Sequence, residues 1–225
     1  MLTEHPAPSI QTVYEILLGH YGAPQIKPQR PPLDELVMTI LSQNTADVNT
    51  ARAYQSLTDT FATWQEVMEA PTEAVAESIR IGGLANIKAP RIQAILREVL
   101  EDQGELSLDS LSALTPQEIK SYLTNLKGVG PKTAACVMLF SMHVPAMPVD
   151  THVHRVALRL NLVPEKTTAE KTQEILEEAT PSELYYPLHL LMIQHGRTLC
   201  HARNPECPSC PLRDICTFYL TQDSA

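Results

Sequence analysis

The chain has 225 residues, 44% of them hydrophobic, and 17 basic against 26 acidic side chains give it a formal charge of −9. That length supplies ample core for one large domain or two small ones, and the lack of a signal-peptide apolar segment or a bilayer-length apolar run predicts a soluble, cytoplasmic protein with no membrane partner. Few aromatic residues (5%), 18 prolines and 8 glycines predict many helices joined by short turns, and no stretch alternates like a strand for long.

A strongly acidic chain argues against a polyanion partner, but the distribution matters more than the sum. Between Glu118 and Asp150 stand Lys120, Lys127 and Lys132 with no acid among them. Screening over about 8 Å lets such a local basic face coexist with an acidic body.

In chain order, Ser9 reads as an N-cap and Gly19 or Gly22 as a stop, so the first helix is expected from residue 10. Pro24, Pro28, Pro31 and Pro32 then predict an extended linker. The helix expected over 33–42 ends in Gln43-Asn44-Thr45-Ala46-Asp47, residue types that cap helices and form turns. Helices follow over 48–61, 63–69 and 72–81, the last stopped by Gly82-Gly83, where Leu84 on its own terms is a core plug. Residues 90–103 read as another helix, and Leu111 as the anchor of a short turn. Thr115-Pro116-Gln117-Glu118 gives a cap, an N1 proline and a first-turn acid to a helix running to residue 126.

The next stretch, Leu126-Lys127-Gly128-Val129-Gly130-Pro131-Lys132, carries the strongest signal. Gly128 and Gly130 allow a tight hairpin, and Pro131 pre-sets the first turn of a helix. Lys132 therefore sits at a helix start, where unpaired backbone N–H groups suit an anion such as a DNA phosphate. Residues 133–142 are apolar almost all round and predict a buried helix, with Lys132 at its rim. The positive end of the helix and partial burial both favour the neutral, nucleophilic amine. Asp150 follows eighteen residues later. A helix running roughly 16 Å outward and an extended return of about 20 Å would let the two share a pocket. Each also has a plainer reading: Lys132 as a solvated lysine, Asp150 as the N-cap of a helix over 151–160. Helices over 169–179 and 182–196 complete the pattern, with His189 and His195 read as structural.

Four of the five cysteines fall in Cys200-x6-Cys207-x2-Cys210-x5-Cys216. In a cytosolic chain such a run binds metal more often than it forms disulfides, and spacing alone leaves zinc open. Cys136, inside the apolar run, reads as a core cysteine.

Taken together, the hairpin, Lys132, Asp150 and the cysteine loop resemble the helix-hairpin-helix, Gly/Pro-Asp loop and [4Fe–4S] loop of the endonuclease III family of DNA glycosylases, over about residues 10–218. The resemblance implies an all-α fold. A six-helix barrel domain over 34–144 would contain the helix-hairpin-helix, and residues 1–33 with 145–225 would form an iron-sulfur cluster domain from both chain ends, with the pocket in the cleft between. It further implies Lys132 as nucleophile, Asp150 as its assistant, and Cys200, Cys207, Cys210 and Cys216 as ligands of a [4Fe–4S] cluster. Gln43 or Asn44 becomes a wedge entering the duplex, with Leu84 inserted opposite it and Lys88 meeting a phosphate. Gly128 and Gly130 would offer N–H groups to the DNA backbone. Arg203, the sole arginine between the first two cluster cysteines, would make a weaker phosphate contact than the basic loop usual in the family.

The activity implied is that of a monomeric bifunctional DNA glycosylase and abasic-site lyase. It would remove oxidised pyrimidines from double-stranded DNA containing damaged bases or abasic sites, and would be nucleoid-associated in a bacterium. Lys127 stands where proline is common and Pro131 where a basic residue is frequent. Two rival readings are a monofunctional glycosylase of the same fold for alkylated or mispaired bases, which usually lacks a lysine at position 132, and a non-enzymatic iron-sulfur DNA-binding or redox protein, which would leave abasic DNA uncut.

Overall fold

The computed structural model describes residues 7–25 and 29–222; residues 1–6, 26–28 and 223–225, Pro28 of the expected linker among them, lie outside the described residues. Among the described residues every regular element is helical. Helix α1 (Ile10–Tyr21) precedes the linker. Then come α2 (Pro32–Ser42), α3 (Asp47–Thr60), α4 (Trp64–Glu69), α5 (Thr72–Ser78), α6 (Ala85–Gln103), α7 (Pro116–Asn125) and α8 (Pro131–Phe140). Helices α9 (Thr151–Arg159), α10 (Ala169–Ala179), α11 (Tyr185–Thr198) and α12 (Thr217–Gln222) follow. The chain divides into two compact units, Met1–Lys27 with Pro145–Ala225, and Pro28–Val144.

In the Pro28–Val144 unit, α8 is the buried axis. Its residues from Thr133 to Leu139 are all buried, as a helix apolar on every side requires. Helices α2 and α7 pack on it. The buried apolar residues of α2 (Leu33, Leu36, Val37, Ile40 and Leu41) follow the spacing of a single core-facing stripe. Off that stripe, Asp34 accepts hydrogen bonds from Tyr54 Oη at 2.6 Å and Trp64 Nε1 at 3.2 Å, tying α3 and α4 to α2. Gln93 joins the α4–α5 connection to α6: its amide donates to the Val67 and Ala70 carbonyls, and its oxygen accepts from Thr72. The α7 start is a full capping box between Thr115 and Glu118.

Four elements differ from expectation. The helix expected over 72–81 ends at Ser78 and gives way to a 3₁₀ turn (Arg80–Gly82). Helix α6 begins at Ala85 and runs through Pro90. The proline forfeits one helical bond, to the exposed Asn86, so it does not mark the start. The helix expected over 182–196 is a 3₁₀ turn (Ser182–Leu184) followed by α11, and α12 was not anticipated.

In the other unit, α11 buries Leu188, Leu191 and Met192, and α1 and α9 pack against it. Helix α9 buries Val153, Val156 and Ala157, and both α10 and α12 lie along it.

Candidate functional site

The hairpin between α7 and α8 is closed by Val129, whose N–H donates to the Leu126 carbonyl at 3.0 Å while its side chain is buried. Gly128 has φ 87°, in the left-handed region, and a Cβ there would lie 2.7 Å from Arg91 Nε. Gly130 is different. Its φ of −96° suits any residue, and nothing stands within 4 Å of where a Cβ would be. The expectation that both glycines serve the turn therefore holds for Gly128 alone. Gly130 caps α8 without a side-chain acceptor, so the bare backbone in front of the helix is left open. Accordingly Gly128→Ala is expected to cost about 1–2 kcal/mol of stability, read as a lower Tm, because alanine resists the left-handed region. Gly130→Ala should cost less, about 0.5–1 kcal/mol, the ordinary penalty for alanine at an N-cap, with no backbone strain added.

Lys132, the second residue of α8, is half-buried, and its ammonium makes no hydrogen bond or ion pair among the described residues. In the other unit, Asp150 caps α9. Its Oδ1 accepts from the N–H groups of His152 and Val153, both at 2.8 Å, and Oδ2 takes no hydrogen bond from the described residues. The carboxylate thus fills the plainer capping role with one oxygen and keeps the other in reserve. The loop before it is held from two helices: His189 Nδ1 lies 2.8 Å from the Pro148 carbonyl, and the Met147 N–H donates to Glu177.

Two turns near the start of α6 carry the remaining contact candidates of the Pro28–Val144 unit. Gln43 caps the C-terminus of α2, and its Oε1 accepts from Arg91 Nη1 at 2.8 Å. Asn44 is exposed with φ 54°, and Leu84, with φ 52°, is 49% exposed, so it is no core plug. Lys88 overturns its expectation. It is 1% exposed, and its Nζ donates to the Leu41 carbonyl at 2.6 Å, Thr45 Oγ1 at 2.7 Å and the Gly82 carbonyl at 2.9 Å. All three ammonium hydrogens are committed to neutral acceptors inside the fold, so none remains for a phosphate. Burial lowers the pKa of this group.

The four C-terminal cysteines line one cavity, with Arg159, Leu160, His195 and Leu212 among its walls. Among the described residues no three His, Cys, Asp or Glu side chains converge as the ligands of a single ion do. Four thiols around one cavity are a donor set that serves an iron-sulfur cluster, and by residue type alone would serve zinc as well. Arg159 Nη1 lies 3.1 Å from Cys200 Sγ and also donates to the His201 carbonyl, a cation placed where an anionic thiolate cluster gains from it. Arg155, one turn earlier, donates to the carbonyls of Cys200 and Gly196. His195 Nε2 is 3.6 Å from Cys210 Sγ and its Nδ1 is 3.0 Å from Tyr21 Oη. Burial pushes the Cys210 thiol up to about 11 and His195 down to about 4. Iron must therefore displace the proton from Cys210 as it binds. Arg203 is exposed, beside the left-handed Asn204.

The profile described as HhH-GPD superfamily base excision DNA repair protein matches residues 37–182, well over half of the chain. The chain belongs to the HhH-GPD superfamily. A second profile, the iron-sulfur binding domain of endonuclease III, matches residues 200–216, beginning and ending on the outer two of the four cysteines. The chain is 37% identical to endonuclease III of Thermotoga maritima over 196 residues, 87% of each chain. It is 41% identical over 165 residues to an Arabidopsis thaliana protein named as a DNA glycosylase, covering 73% of this chain and spanning 56% of that relative's length. In structure it resembles a trapped endonuclease III–DNA covalent intermediate, with a TM-score of 0.81, 30% identity and coverage of 95% and 97% of the two chains.

This HhH-GPD protein is an endonuclease III-like base-excision-repair DNA glycosylase. It carries a [4Fe–4S] cluster, for which the donor set of Cys200, Cys207, Cys210 and Cys216 and the adjoining arginine fit. Bound there, such a cluster cross-links the C-terminal loop and supplies one-electron redox capacity. Sequence reasoning missed Arg91, Arg155 and Arg159. The only available signal for the last two was their i,i+4 spacing on the helix that follows Asp150.

Proposed function

We propose that the protein is a bifunctional glycosylase and abasic-site lyase that removes oxidised pyrimidines from duplex DNA. The observation that carries this reading is Lys132, an amine with no hydrogen-bond or ion-pair partner among the described residues, at the N-terminus of a helix that has no side-chain cap and is buried along its length. Support also comes from the endonuclease III that was trapped as a covalent intermediate with DNA.

The wedge turn at Gln43 and Asn44 and the opposing Leu84 enter the duplex as the damaged nucleotide swings out. Lys132 Nζ, once its proton has passed to Asp150, attacks C1′ of the extruded nucleotide, and the C1′–N bond breaks with its electron pair leaving on the base, which takes up a proton. The amino sugar opens to a Schiff base. Loss of a C2′ proton then expels the 3′ phosphate, and water hydrolyses the imine to release lysine. Asp150, through the oxygen not used in capping, stabilises positive charge on the sugar and accepts the lysine proton. Backbone N–H groups around Gly128 and Gly130 hold a phosphate.

Asp150→Asn tests the division of labour. Asparagine caps as well as aspartate, so Tm should stay within a few tenths of a kcal/mol of stability. Turnover should fall about 100-fold or more. Asp150→Ala should lose the activity and about 1 kcal/mol as well. The substrate class is tested with duplexes carrying one oxidised pyrimidine, one alkylated purine or one mispair, each treated with borohydride. The expected result is a covalent adduct with the first. Base release without any adduct would establish the monofunctional reading instead.

A further inference from the structure

Stability gives a poor reason for Lys88. A buried ammonium that meets only neutral oxygens carries a desolvation cost, and methionine would fill the same space without it. Its three acceptors mark three places: the end of α2 at Leu41, Thr45 just past the Gln43–Asn44 apex, and Gly82 just before the Gly83–Leu84 apex. Thr45 Oγ1 also donates to the Gly82 carbonyl, closing the link between the two turns. With all three N–H groups committed, neither apex shifts against the other without breaking a charge-assisted bond. Arg91, three residues further along the same face of α6, repeats the device by holding Gln43 and filling the space beside Gly128.

The geometry points to Lys88 and Arg91 as positioning residues that keep the Gln43–Asn44 and Leu84 apexes at one separation, so that both enter the duplex together at the lesion. This rests on the wedge role proposed above. The lysine acts through the two turns it holds, by the Leu41 and Gly82 carbonyls and the Thr45 hydroxyl, and not by contact with DNA.

The test compares the full-length, cluster-loaded enzyme with its Lys88→Met and Arg91→Met variants on two substrates. One is an abasic site within a duplex, and the other is the same site in a single-nucleotide bulge, where nothing has to be opened. In the duplex substrate, a 2-aminopurine opposite the site reports base opening. Each variant is expected to lose about 100-fold in duplex cleavage, the scale of a small misplacement, together with the fluorescence rise on binding, while bulge cleavage stays within about threefold of the parent. Equal losses on both substrates would mean a merely structural role and would overturn the proposal, as would unchanged duplex cleavage. If Lys88→Met does not fold, Arg91→Met decides by the same comparison. A parent enzyme that cuts neither substrate would instead sink the lyase reading, a distinguishable failure.

Discussion

Lys132→Gln should abolish borohydride trapping and lower strand cleavage by on the order of 10⁴-fold or more, as removal of a nucleophile does. The same variant should keep its Tm, since the ammonium makes no bond within the described fold whose loss could be felt. DNA affinity should change only a few fold, by the loss of one positive charge. Titration against labelled abasic duplex, melting, and adduct yield on a denaturing gel separate these effects. Retained cleavage in Lys132→Gln would move the nucleophile elsewhere. Loss of cleavage accompanied by unfolding would say nothing particular about lysine, which is why melting belongs in the experiment.

Removing the cluster should have the second large effect. Cys210→Ser, or chelation of iron under reducing conditions, should abolish the visible absorbance and destabilise the unit containing α1 and α9–α12 by several kcal/mol. Metal binding to a loop that lacks its own core is folding free energy, on the order of 10 kcal/mol where it has been measured for small metal-stapled domains. The loop over 200–216 has only two short 3₁₀ turns and a single fully apolar buried residue, Leu212, so apart from the bonds from Arg155 and Arg159 little else holds it. Arg155 and Arg159 would lose the carbonyls they bind there. Circular dichroism should show a new low-temperature transition for that unit. Colour lost with no change in melting would show that the arginines and Leu212 suffice.

Much of the helical order was legible because caps and stops are local chemistry. Ser9, Thr115 and Asp150 cap the helices they were expected to cap, and the run after Lys132 is buried as its apolar composition demands. Lys88 was misread because a lysine near a glycine turn is ordinarily solvated. Only the folded positions of Leu41, Thr45 and Gly82, up to 47 residues away, create an enclosure for it. Gly130 was misread for a similar reason: a glycine in a hairpin suggests an unusual backbone, whereas here the absent side chain matters for the space outside. Arg91 could not be found at all, since both of its contacts are far away in sequence.

The pairing of α1 with α11 also bears on how the chain emerges from a ribosome. Tyr21 waits for His195, a partner 174 residues downstream. At about 5–20 residues per second, the first helix spends roughly ten to thirty seconds unpartnered while the contiguous middle of the protein is free to fold. Iron delivery can only follow that. A strain short of iron, or one in which synthesis stalls late, should therefore accumulate nascent molecules with a finished barrel and a dangling, protease-sensitive leading helix.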